Sequence, residues 1–334
     1  MPHQINAAVI GVGQMGINHG MIYQKIPGVR LAAICEYNDE RREEMAAFFG
    51  CRAYKDYREL LADPTIDAVS VVLPDDIHRE CVELAVKYRK HILLEKPLAK
   101  ELSDGIAMYE MLKDYEKVFT VGFLLRFDPR FNMIKKALDK NELGEIIHMY
   151  CRRNSPIIGP MRYIGVSDLC MHVMIHDIDY VNWFMGCNPV KAYAKGRSVL
   201  LKEYNMTDVI YALVTYENGA LVCFEASWVL PEKSPTVIDD RVELVGTKGV
   251  VYIDPCDAGV RFVTGDRIQY PDSRHWFEIN NTISGDLSEQ IIAFINCILN
   301  GEKPIVTVKQ ALDSLRLADA IEASLRQGAE VSMV

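Results

Sequence analysis

The chain has 334 residues, of which 25% are charged and 49% hydrophobic, and this length and composition are typical of a globular protein with two domains. The net charge is −9 and lysines and arginines occur in runs of no more than two, so the sequence predicts no nucleic-acid partner. Residues 1–24 lack Asp, Glu, Lys and Arg but hold four glycines within ten residues, without a basic start, which predicts neither a signal peptide nor a membrane partner.

The nine cysteines are scattered singly along the chain, with no CxxC pair. Such a set fits reduced thiols better than a disulfide framework or a zinc ribbon. The sequence therefore predicts a cytoplasmic protein.

The first 125 residues alternate short apolar runs with amphipathic ones, which predicts a doubly wound parallel sheet of the α/β class. Asn38 begins one of the intervening helices, with acidic residues in its first turn and Gly50 beyond its end. The predicted strands of this part are 7–12, 29–36, 66–74, 90–97 and 118–123.

After residue 125 the pattern changes to a run of strands joined by Gly, Asn and Asp turns, which predicts an antiparallel sheet. We therefore expect two domains, 1–125 and 126–334. The predicted strands of the second domain are 145–153, 190–199, 207–216, 219–228, 238–246, 249–254, 259–264 and 267–270. Its predicted helices are 129–141, 168–185, 286–301 and 309–328.

The segment VIGVGQMG carries a GxGxxG pattern directly after the first predicted strand and before a helix. In such a loop Gly11 permits a tight turn, Gly13 lets the backbone approach a pyrophosphate, and Gly16 allows close helix–strand packing. Gln14 and Met15, between these glycines, are cofactor-binding candidates as well. An ordinary glycine-rich turn would give the same pattern, but the strand, the helix and an acidic residue 20 positions after Gly16 favour a dinucleotide site.

That acidic residue is Glu36, at the end of the second predicted strand. Its carboxylate is expected to bind the adenosine ribose hydroxyls and to repel a 2′-phosphate, which favours NAD over NADP. A solvated carboxylate at a strand end is the alternative interpretation, and Arg41 and Arg42 nearby keep NADP open.

Glu95, Lys96 and Pro97 stand at the carboxyl end of another predicted strand, where open α/β sheets bind ligands. A lysine in such a place is usually a surface charge. Lys96, however, follows an apolar run and precedes a proline that restricts its backbone. It lies where a nicotinamide would bind, so we interpret it as functional.

The segment 168–185 is predicted to form a helix that is buried on nearly every side, yet it carries a polar stripe. At about 100° per residue, Asp168, His172, His176 and Asp179 fall within roughly 80° of one another. Buried polar groups need partners, so the stripe predicts either a functional site or two core histidines that the aspartates satisfy. The histidines at i and i+4 could also bind a metal, but hydride chemistry requires none and we expect none.

Five motifs occur in the order and spacing of one family: GxGxxG at 11–16, LPDDIH at 73–78, EKP at 95–97, RFDP at 126–129 and HDID at 176–179. The chain resembles the glucose–fructose oxidoreductase, inositol dehydrogenase and rhizopine-catabolism (Gfo/Idh/MocA) family. The resemblance implies a Rossmann domain, then an α+β domain with a large open, mostly antiparallel sheet. It also implies NAD(P)-dependent redox chemistry on sugars or cyclitols, and a homodimer or homotetramer formed through the C-terminal sheet.

Within this resemblance, the EKP lysine and the HDID histidine are the catalytic pair. A neutral imidazole is well suited to accept a hydroxyl proton near pH 7, and we assign this role to His176. Lys96 is expected to hold the hydroxyl and to stabilise developing alkoxide charge. Further cofactor contacts are expected at Leu73, Pro74, His78, Glu95 and Lys96.

Members of the family commonly carry an aspartate four residues before the HDID histidine, and here that position is His172. A histidine cannot supply the same fixed negative charge, so either the proton relay differs or Asp179 or Asp168 serves. Adjacent strand residues point to opposite faces, so only one of Arg152 and Arg153 can line the substrate pocket. The substrate-binding candidates are Arg126, Arg152, Asn154, Tyr163, His172, Asp179, His275 and Trp276.

The sequence therefore predicts an NAD-dependent oxidoreductase that moves hydride between the nicotinamide and a secondary alcohol of a sugar, cyclitol or sugar derivative, similar to inositol 2-dehydrogenases. Two alternatives of the same class are an NADP-dependent keto-sugar reductase and a nucleotide-sugar 3-dehydrogenase. A non-catalytic regulator that senses NAD(P) is the alternative from another class, although such proteins tend to lose the EKP lysine and the histidine.

Overall fold

The structure is a computed structural model that describes residues 4–157, 161, 164–254, 260–264, 266 and 268–333. The chain forms two compact units, each with its own internal contacts. The first unit contains Met1–Phe127 and Arg274–Leu312, and the second contains Asp128–Ser273 and Asp313–Val334. Within the described ranges, no helix has the length and apolar character needed to cross a membrane.

The helices and strands are numbered in chain order over the described residues. The strands are β1 Ile5–Ile10, β2 Val29–Cys35, β3 Arg52–Tyr54, β4 Ala68–Val71, β5 His91–Leu94, β6 Phe119–Val121, β7 Ile146–Pro156, β8 Pro189–Arg197, β9 Val209–Tyr216, β10 Leu221–Leu230, β11 Asp239–Gly246, β12 Val250–Ile253, β13 Phe262–Val263, β14 Ile268–Gln269, β15 Glu278–Ile279, β16 Thr282–Ile283 and β17 Val331–Ser332. The α-helices are α1 Gln14–Tyr23, α2 Asp39–Phe49, α3 Tyr57–Ala62, α4 His78–Lys87, α5 Leu102–Leu112, α6 Pro129–Asp139, α7 Ile175–Met185, α8 Asp286–Asn300 and α9 Val308–Gln327.

The first unit is built on a parallel sheet with the strand order β3-β2-β1-β4-β5-β6, which we call the parallel sheet. This is the order of a Rossmann fold, and the predicted α/β class is confirmed. The strands are short apolar runs buried almost throughout, because helices cover both faces of such a sheet. The order reverses between β1 and β4, and loops at this switch point bind ligands in open α/β sheets.

Local signals determine where the helices of this unit begin and end. Asn38 caps α2 as predicted, since its side chain accepts a hydrogen bond from the backbone N–H of Arg41. Gly50 ends the same helix in the left-handed conformation, with φ +62°. These two residues therefore fix the length of the helix that follows β2.

The segment Arg274–Leu312 returns to the first unit, whereas the expected domains placed it with the C-terminal part. The reason lies in α8, whose buried face carries Leu287, Ile291 and Phe294. These side chains belong to one apolar core with residues of β1 and β2, such as Val9 and Ile34. Burial of this helix face against the Rossmann core ties the segment to the first unit.

The second unit is built on a mixed sheet with the strand order β12-β11-β7-β10-β9-β8-β17, which we call the mixed sheet. Strands β7 and β10 pair in parallel, and the other neighbours pair antiparallel. The prediction of a mostly antiparallel sheet is confirmed. Side chains alternate between a buried and a more exposed face, as in β9, where Ile210, Ala212 and Val214 are buried.

The segment 168–185 is not one regular α-helix, and the prediction of a single polar stripe along it is wrong. Cys170–Met174 form a π-helical turn, and α7 begins only at Ile175. A π turn closes i→i+5 hydrogen bonds, so the spacing of about 100° per residue does not hold across it. Asp168 is consequently exposed and Asp179 buried, while His172 and His176 are each half-buried.

Candidate active site

The glycine-rich loop after β1 has the backbone that a dinucleotide site requires. Gly11 has φ +88°, and a Cβ there would lie 2.1 Å from the carbonyl oxygen of Val72. A Cβ at Gly16 would lie 1.9 Å from the carbonyl oxygen of Gly11, so helix and loop pack too closely for any side chain. At Gly13 a Cβ would meet nothing within 4 Å, which leaves that side of the helix N-terminus open for a pyrophosphate.

The predicted residues Gln14 and Met15 form the first turn of α1, next to this opening. Gln14 is exposed and Met15 is half-buried. Backbone N–H groups in the first turn of a helix lack intrahelical acceptors and favour anions. The loop and the helix start therefore fit the phosphates of a dinucleotide.

Glu36 follows the last residue of β2 and lies beside the glycine-rich loop. Its Oε2 accepts a hydrogen bond of 3.4 Å from the backbone N–H of Val12, and its Oε1 accepts one of 3.1 Å from Asn38. Arg41 donates to the carbonyl oxygen of Val12, and Arg42 donates to that of Glu36. Arg41 and Arg42, the two residues that kept NADP binding open, thus both bind backbone carbonyls here, and the Glu36 carboxylate lies beside the glycine-rich loop.

The EKP segment follows β5 at the carboxyl edge of the parallel sheet. Glu95 is buried, and its backbone N–H donates to the carbonyl oxygen of Val71 on the neighbouring strand. Lys96 is half-buried at this edge. Burial by itself would raise the pKa of Glu95, but the hydrogen bond from His19 and the charge and backbone N–H of Lys96 outweigh it and lower the pKa. The carboxylate is therefore charged beside Lys96.

His78 joins two loops at the same edge of the sheet. Its ring is fully buried, with Nδ1 3.0 Å from the carbonyl oxygen of Pro97 and Nε2 2.9 Å from that of Leu73. Leu73 is half-buried and Pro74 exposed beside it. His78, predicted to bind the cofactor, is thus placed to hold the loops that carry Leu73 and Lys96, and its ring nitrogens already lie against backbone oxygens.

In the second unit, the π-helical turn and α7 carry the two histidines of the predicted stripe. The His172 ring lies 6.4 Å from the ring of Trp228, measured between centroids. Asp168 caps the turn, since its Oδ1 accepts a hydrogen bond of 2.8 Å from the backbone N–H of Met171. Asp179 is buried and accepts a hydrogen bond of 3.4 Å from the hydroxyl of Ser314 on α9. Of the four residues of the predicted stripe, the two histidines are half-buried, whereas Asp168 is exposed and Asp179 is buried.

The arginines of β7 point to opposite faces of the mixed sheet, as strand alternation requires. Arg153 is buried and binds Asp177 of α7 through two guanidinium nitrogens, at 3.0–3.2 Å. Arg152 lies on the other face, where it donates to Asp239 at 2.8 Å, and Asn154 donates to Glu225 at 3.0 Å. The structure therefore brings Arg153, rather than the predicted Arg152 and Asn154, to the helix that carries His176.

The remaining substrate-binding candidates have structural partners or fall outside the described residues. Arg126 is buried in the first unit and donates to the carbonyl oxygen of Ile305 and to Gln310. His275 is buried, with Nδ1 2.7 Å from Asp286 Oδ2, and Trp276 packs against the apolar core of the first unit. Tyr163 lies outside the described residues.

Sequence reasoning missed two buried polar residues next to the predicted ones, His19 and Asp177, and it weighed the buried Arg153 only as the alternative to Arg152. His19 of α1 lies 3.2 Å from Glu95, and the pair Arg153–Asp177 joins β7 to α7. Burial by itself would lower the pKa of Arg153, but the charges of Asp177 and Asp240 raise it above its usual range. The sequence held one signal for each, a charged or imidazole side chain on an otherwise buried face, but it did not identify the partners.

Two family models match the chain over most of its length. The model described as the oxidoreductase family with an NAD-binding Rossmann fold matches residues 5–123. The model described as the GFO/IDH/MocA C-terminal domain matches residues 131–252. The two matches lie in consecutive parts of the chain, in the order in which the Rossmann strands and the mixed sheet occur.

Named relatives and solved structures resemble the whole chain. The myo-inositol 2-dehydrogenase of Thermotoga maritima is 29% identical over 97% of this chain and 97% of its own length. The NAD+-dependent scyllo-inositol 2-dehydrogenase of Bacillus subtilis is 28% identical over 100% of this chain and 97% of its own. The crystal structure of a probable dehydrogenase from Thermotoga maritima is 26% identical over 98% of both chains, with a TM-score of 0.85.

Proposed function

Since this chain belongs to the GFO/IDH/MocA oxidoreductase family and has its NAD-binding Rossmann fold, we propose that it is an NAD-dependent dehydrogenase of a secondary hydroxyl on inositol or a related polyhydroxylated ring. The observation that carries the proposal is the carboxyl edge of the parallel sheet. There the half-buried Lys96 follows β5, and the open face of Gly13 follows β1. Relatives named as myo- and scyllo-inositol dehydrogenases, similar over nearly the whole chain, support the substrate class.

The chain's own residues supply binding and proton transfer. The N–H groups at the start of α1 bind the pyrophosphate, and Glu36 binds the ribose hydroxyls. NAD+, when bound, supplies the hydride acceptor. His176 accepts the proton of the substrate hydroxyl, because a neutral imidazole is a competent base near pH 7. Lys96 donates a hydrogen bond to the same oxygen and stabilises the negative charge that develops on it.

His172 is the residue from which we expect a difference in substrate preference. It is half-buried one turn before His176, with its ring tilted by 34° to that of Trp228. It therefore presents an imidazole where many relatives are expected to present a carboxylate. An imidazole can both donate and accept a hydrogen bond, whereas a carboxylate only accepts. We propose that His172 contacts a ring hydroxyl or an attached group of the substrate.

Surface features of the second unit support a proposal on assembly, and the thiols support one on location. Tyr193, Tyr211 and Leu213 are exposed on neighbouring strands β8 and β9, on the face of the mixed sheet opposite to α7. Exposed apolar side chains on a sheet face favour a protein partner, so we propose a homo-oligomer formed through this face. The cysteines of the described ranges are free thiols, which is consistent with a cytoplasmic location.

The test is a substrate panel followed by one substitution. Inositols, hexoses, uronic acids and nucleotide sugars are screened for reduction of NAD+ and of NADP+ at 340 nm. Lys96→Ala is expected to lower kcat by at least about 1,000-fold on the best substrate while NADH still binds, measured by fluorescence. Lys100→Ala, which removes a half-buried lysine four residues later, is the matched control and is expected to keep its activity within about threefold of the unsubstituted protein.

Each other outcome of the panel identifies an alternative. Strong preference for NADP+ or for nucleotide sugars would favour the two other enzymes that the sequence left open. NADH binding with no turnover on any member of the panel would favour a regulator. Near-normal turnover by the Lys96→Ala variant would contradict the role of this lysine.

A further inference from the structure

Four buried polar side chains of the first unit, ending at Glu95 of the EKP segment, form a hydrogen-bonded series that we call the buried relay. The Tyr23 hydroxyl is 2.7 Å from Ser70 Oγ, and Ser70 Oγ is 3.0 Å from His19 Nδ1. His19 Nε2 is in turn 3.2 Å from Glu95 Oε1. Tyr23, Ser70 and His19 are fully buried, so α1, β4 and the loop after β5 are joined by hydrogen bonds shielded from water.

The partners define where the protons are. Glu95 is charged and can only accept, so His19 donates to it from Nε2. When the imidazole carries only that proton, its Nδ1 accepts from the Ser70 hydroxyl. Ser70 Oγ then accepts from the Tyr23 hydroxyl, and burial raises the pKa of Tyr23 well above its usual range, which keeps that donor protonated. In this arrangement each hydrogen bond of the buried relay has one donor and one acceptor, and each donor lies on the side away from Glu95.

Glu95 connects the buried relay to Lys96. Its carboxylate accepts the backbone N–H of Lys96 and interacts with the charge of that residue. Among the described residues, the ionisable groups that contact the carboxylate are His19 of α1 and Lys96 itself, and the uncharged amide of Gln290 on α8 lies nearby, beside Gly122. Because the interaction is mutual, whatever keeps Glu95 charged also favours the ammonium form of Lys96.

Packing keeps Glu95 away from any substrate. Its residue is 8% exposed, and a Cβ placed on Gly122 would lie 3.0 Å from Glu95 Oε1 and 3.4 Å from Gln290 Nε2. A carboxylate enclosed in this way has no room to swing toward the solvent side of the sheet edge. Glu95 therefore acts on the reaction through its neighbour in the chain.

We propose that His19 is a positioning residue for Lys96: it holds the Glu95 carboxylate against the Lys96 backbone, and this fixes the place and the charge of the ammonium group. The proposal rests on the proposed function, in which Lys96 acts as a cation on the substrate oxygen. His19 touches neither substrate nor cofactor in this role. Its loss displaces Lys96 without removing it.

The test compares His19→Leu with His19→Gln, which keeps an N–H donor near the position of Nε2. His19→Leu is expected to lower kcat by about 10- to 100-fold, with the KM for NAD+ within about threefold, because the lysine is misplaced but the cofactor loop is intact. The alkaline limb of the pH–rate profile, where Lys96 loses its proton, is expected to move to lower pH by about one unit. His19→Gln is expected to recover at least half of this shift.

His91→Leu is the matched control, because His91 begins the same strand, β5, at the opposite end from Lys96. Its Nδ1 accepts a hydrogen bond of 3.0 Å from the backbone N–H of Val118, so its loss also removes a structural contact. This variant is expected to leave the alkaline limb in place. If His19→Leu does not fold, Glu95→Gln, which keeps the shape of the side chain, provides the same measurement of the alkaline limb.

An alkaline limb that stays in place in His19→Leu and Glu95→Gln, or that moves equally in the control, would overturn the proposal. Failure of the proposed function gives a different result, since full activity of Lys96→Ala would contradict that function whatever the His19 variants do. A reduced kcat in His19→Leu with an unmoved limb would assign His19 a purely structural role.

Discussion

The two units hold their candidate functional residues in different ways. In the first unit, short motifs directly follow strands of the parallel sheet: the glycine loop follows β1, Leu73 and Pro74 follow β4, and EKP follows β5. The ends of parallel strands meet at one edge, so these motifs share that edge even though they are far apart in sequence. In the second unit, the candidates lie within a helix and within a strand, where direction depends on the exact periodicity.

This difference explains why similar residues have different environments in the second unit. Arg152 and Arg153 are neighbours in sequence, yet one binds Asp239 on a half-exposed face and the other binds Asp177 on a buried face. A shift of one residue in a strand exchanges the two faces. Placement in the second unit therefore depends on register, whereas placement in the first depends on where strands end.

The largest effect is expected from breaking the buried pair of β7 and α7. Asp177→Asn leaves the guanidinium of Arg153 buried with a neutral amide, although Asp240 still contributes charge. The free energy of unfolding in urea is expected to fall by about 3–5 kcal/mol, the usual result of removing one partner of a buried ion pair. Asp239→Asn, which breaks the more exposed pair with Arg152, is the control and is expected to cost less than about 1 kcal/mol.

Equal losses in the two variants would contradict the comparison, because they would mean that both faces of β7 are similarly shielded from water. A larger loss of unfolding free energy in Asp239→Asn than in Asp177→Asn would mean that the Arg152 pair is the better shielded of the two. The measurement thus tests directly which arginine is part of the support of α7.

Much of the first unit could be predicted from the sequence, because its signals are local. The apolar runs gave β1, β2, β4, β5 and β6, and Asn38 and Gly50 gave the ends of α2. The short strand β3 and helix α3 were missed, since β3 has three residues and none of them is buried. Residues such as His19 could not be assigned, because their partners come from other strands and helices and no spacing in the sequence brings them together.

A second prediction concerns the glycine loop, where local sequence and structure agree. Gly11→Ala places a Cβ 2.1 Å from a backbone oxygen at φ +88°, so the loop must shift. We expect a loss of about 2–3 kcal/mol in the free energy of unfolding and at least about tenfold weaker NADH binding. Gly28→Ala is the matched control, because Gly28 has φ +80° but a Cβ there would meet nothing within 4 Å.

The control separates strain in the backbone from collision with a neighbour. Gly28→Ala is expected to cost about 1 kcal/mol through its positive φ alone and to leave NADH binding unchanged. If Gly11→Ala bound NADH normally, the loop of the first unit would be more adaptable than its packing indicates.

In the second unit most helices and strands could be predicted from the sequence, but the geometry of the site could not. The helix predicted over 168–185 contains a π-helical turn at Cys170–Met174, which holds His172 and lies between Asp168 and the α7 residues His176 and Asp179. A single extra residue in a helical turn is invisible to a periodicity argument, since it leaves the apolar content of the segment unchanged. The faces of β7 were predicted to alternate, but which face packs on α7 depends on long-range pairing.

The smallest effect is expected from Glu322 of α9, whose negative charge lowers the stability of the second unit. Burial, followed by the charge of Asp168, raises the pKa of Glu322 to about 7, whereas an ordinary glutamate has a pKa near 4.5. Between these two pH values the unfolded chain loses the proton and the folded chain keeps it, so stability falls as the pH rises from about 4.5 to about 7. Above that range the full cost persists, because Glu322 is then charged next to Asp168 in the folded protein.

Glu322→Gln removes the titration while keeping the shape of the side chain. We expect it to raise the free energy of unfolding by about 2 kcal/mol at pH 8 and by much less at pH 5, since the two proteins then carry the same charge at this site. Glu330→Gln, at an exposed glutamate of the same unit, is the control and should show no such dependence on pH. A stabilisation of equal size at both pH values would mean that packing, and not the charge of Glu322 beside Asp168, sets the cost. The start of the π-helical turn that carries His172 would then be free of this repulsion.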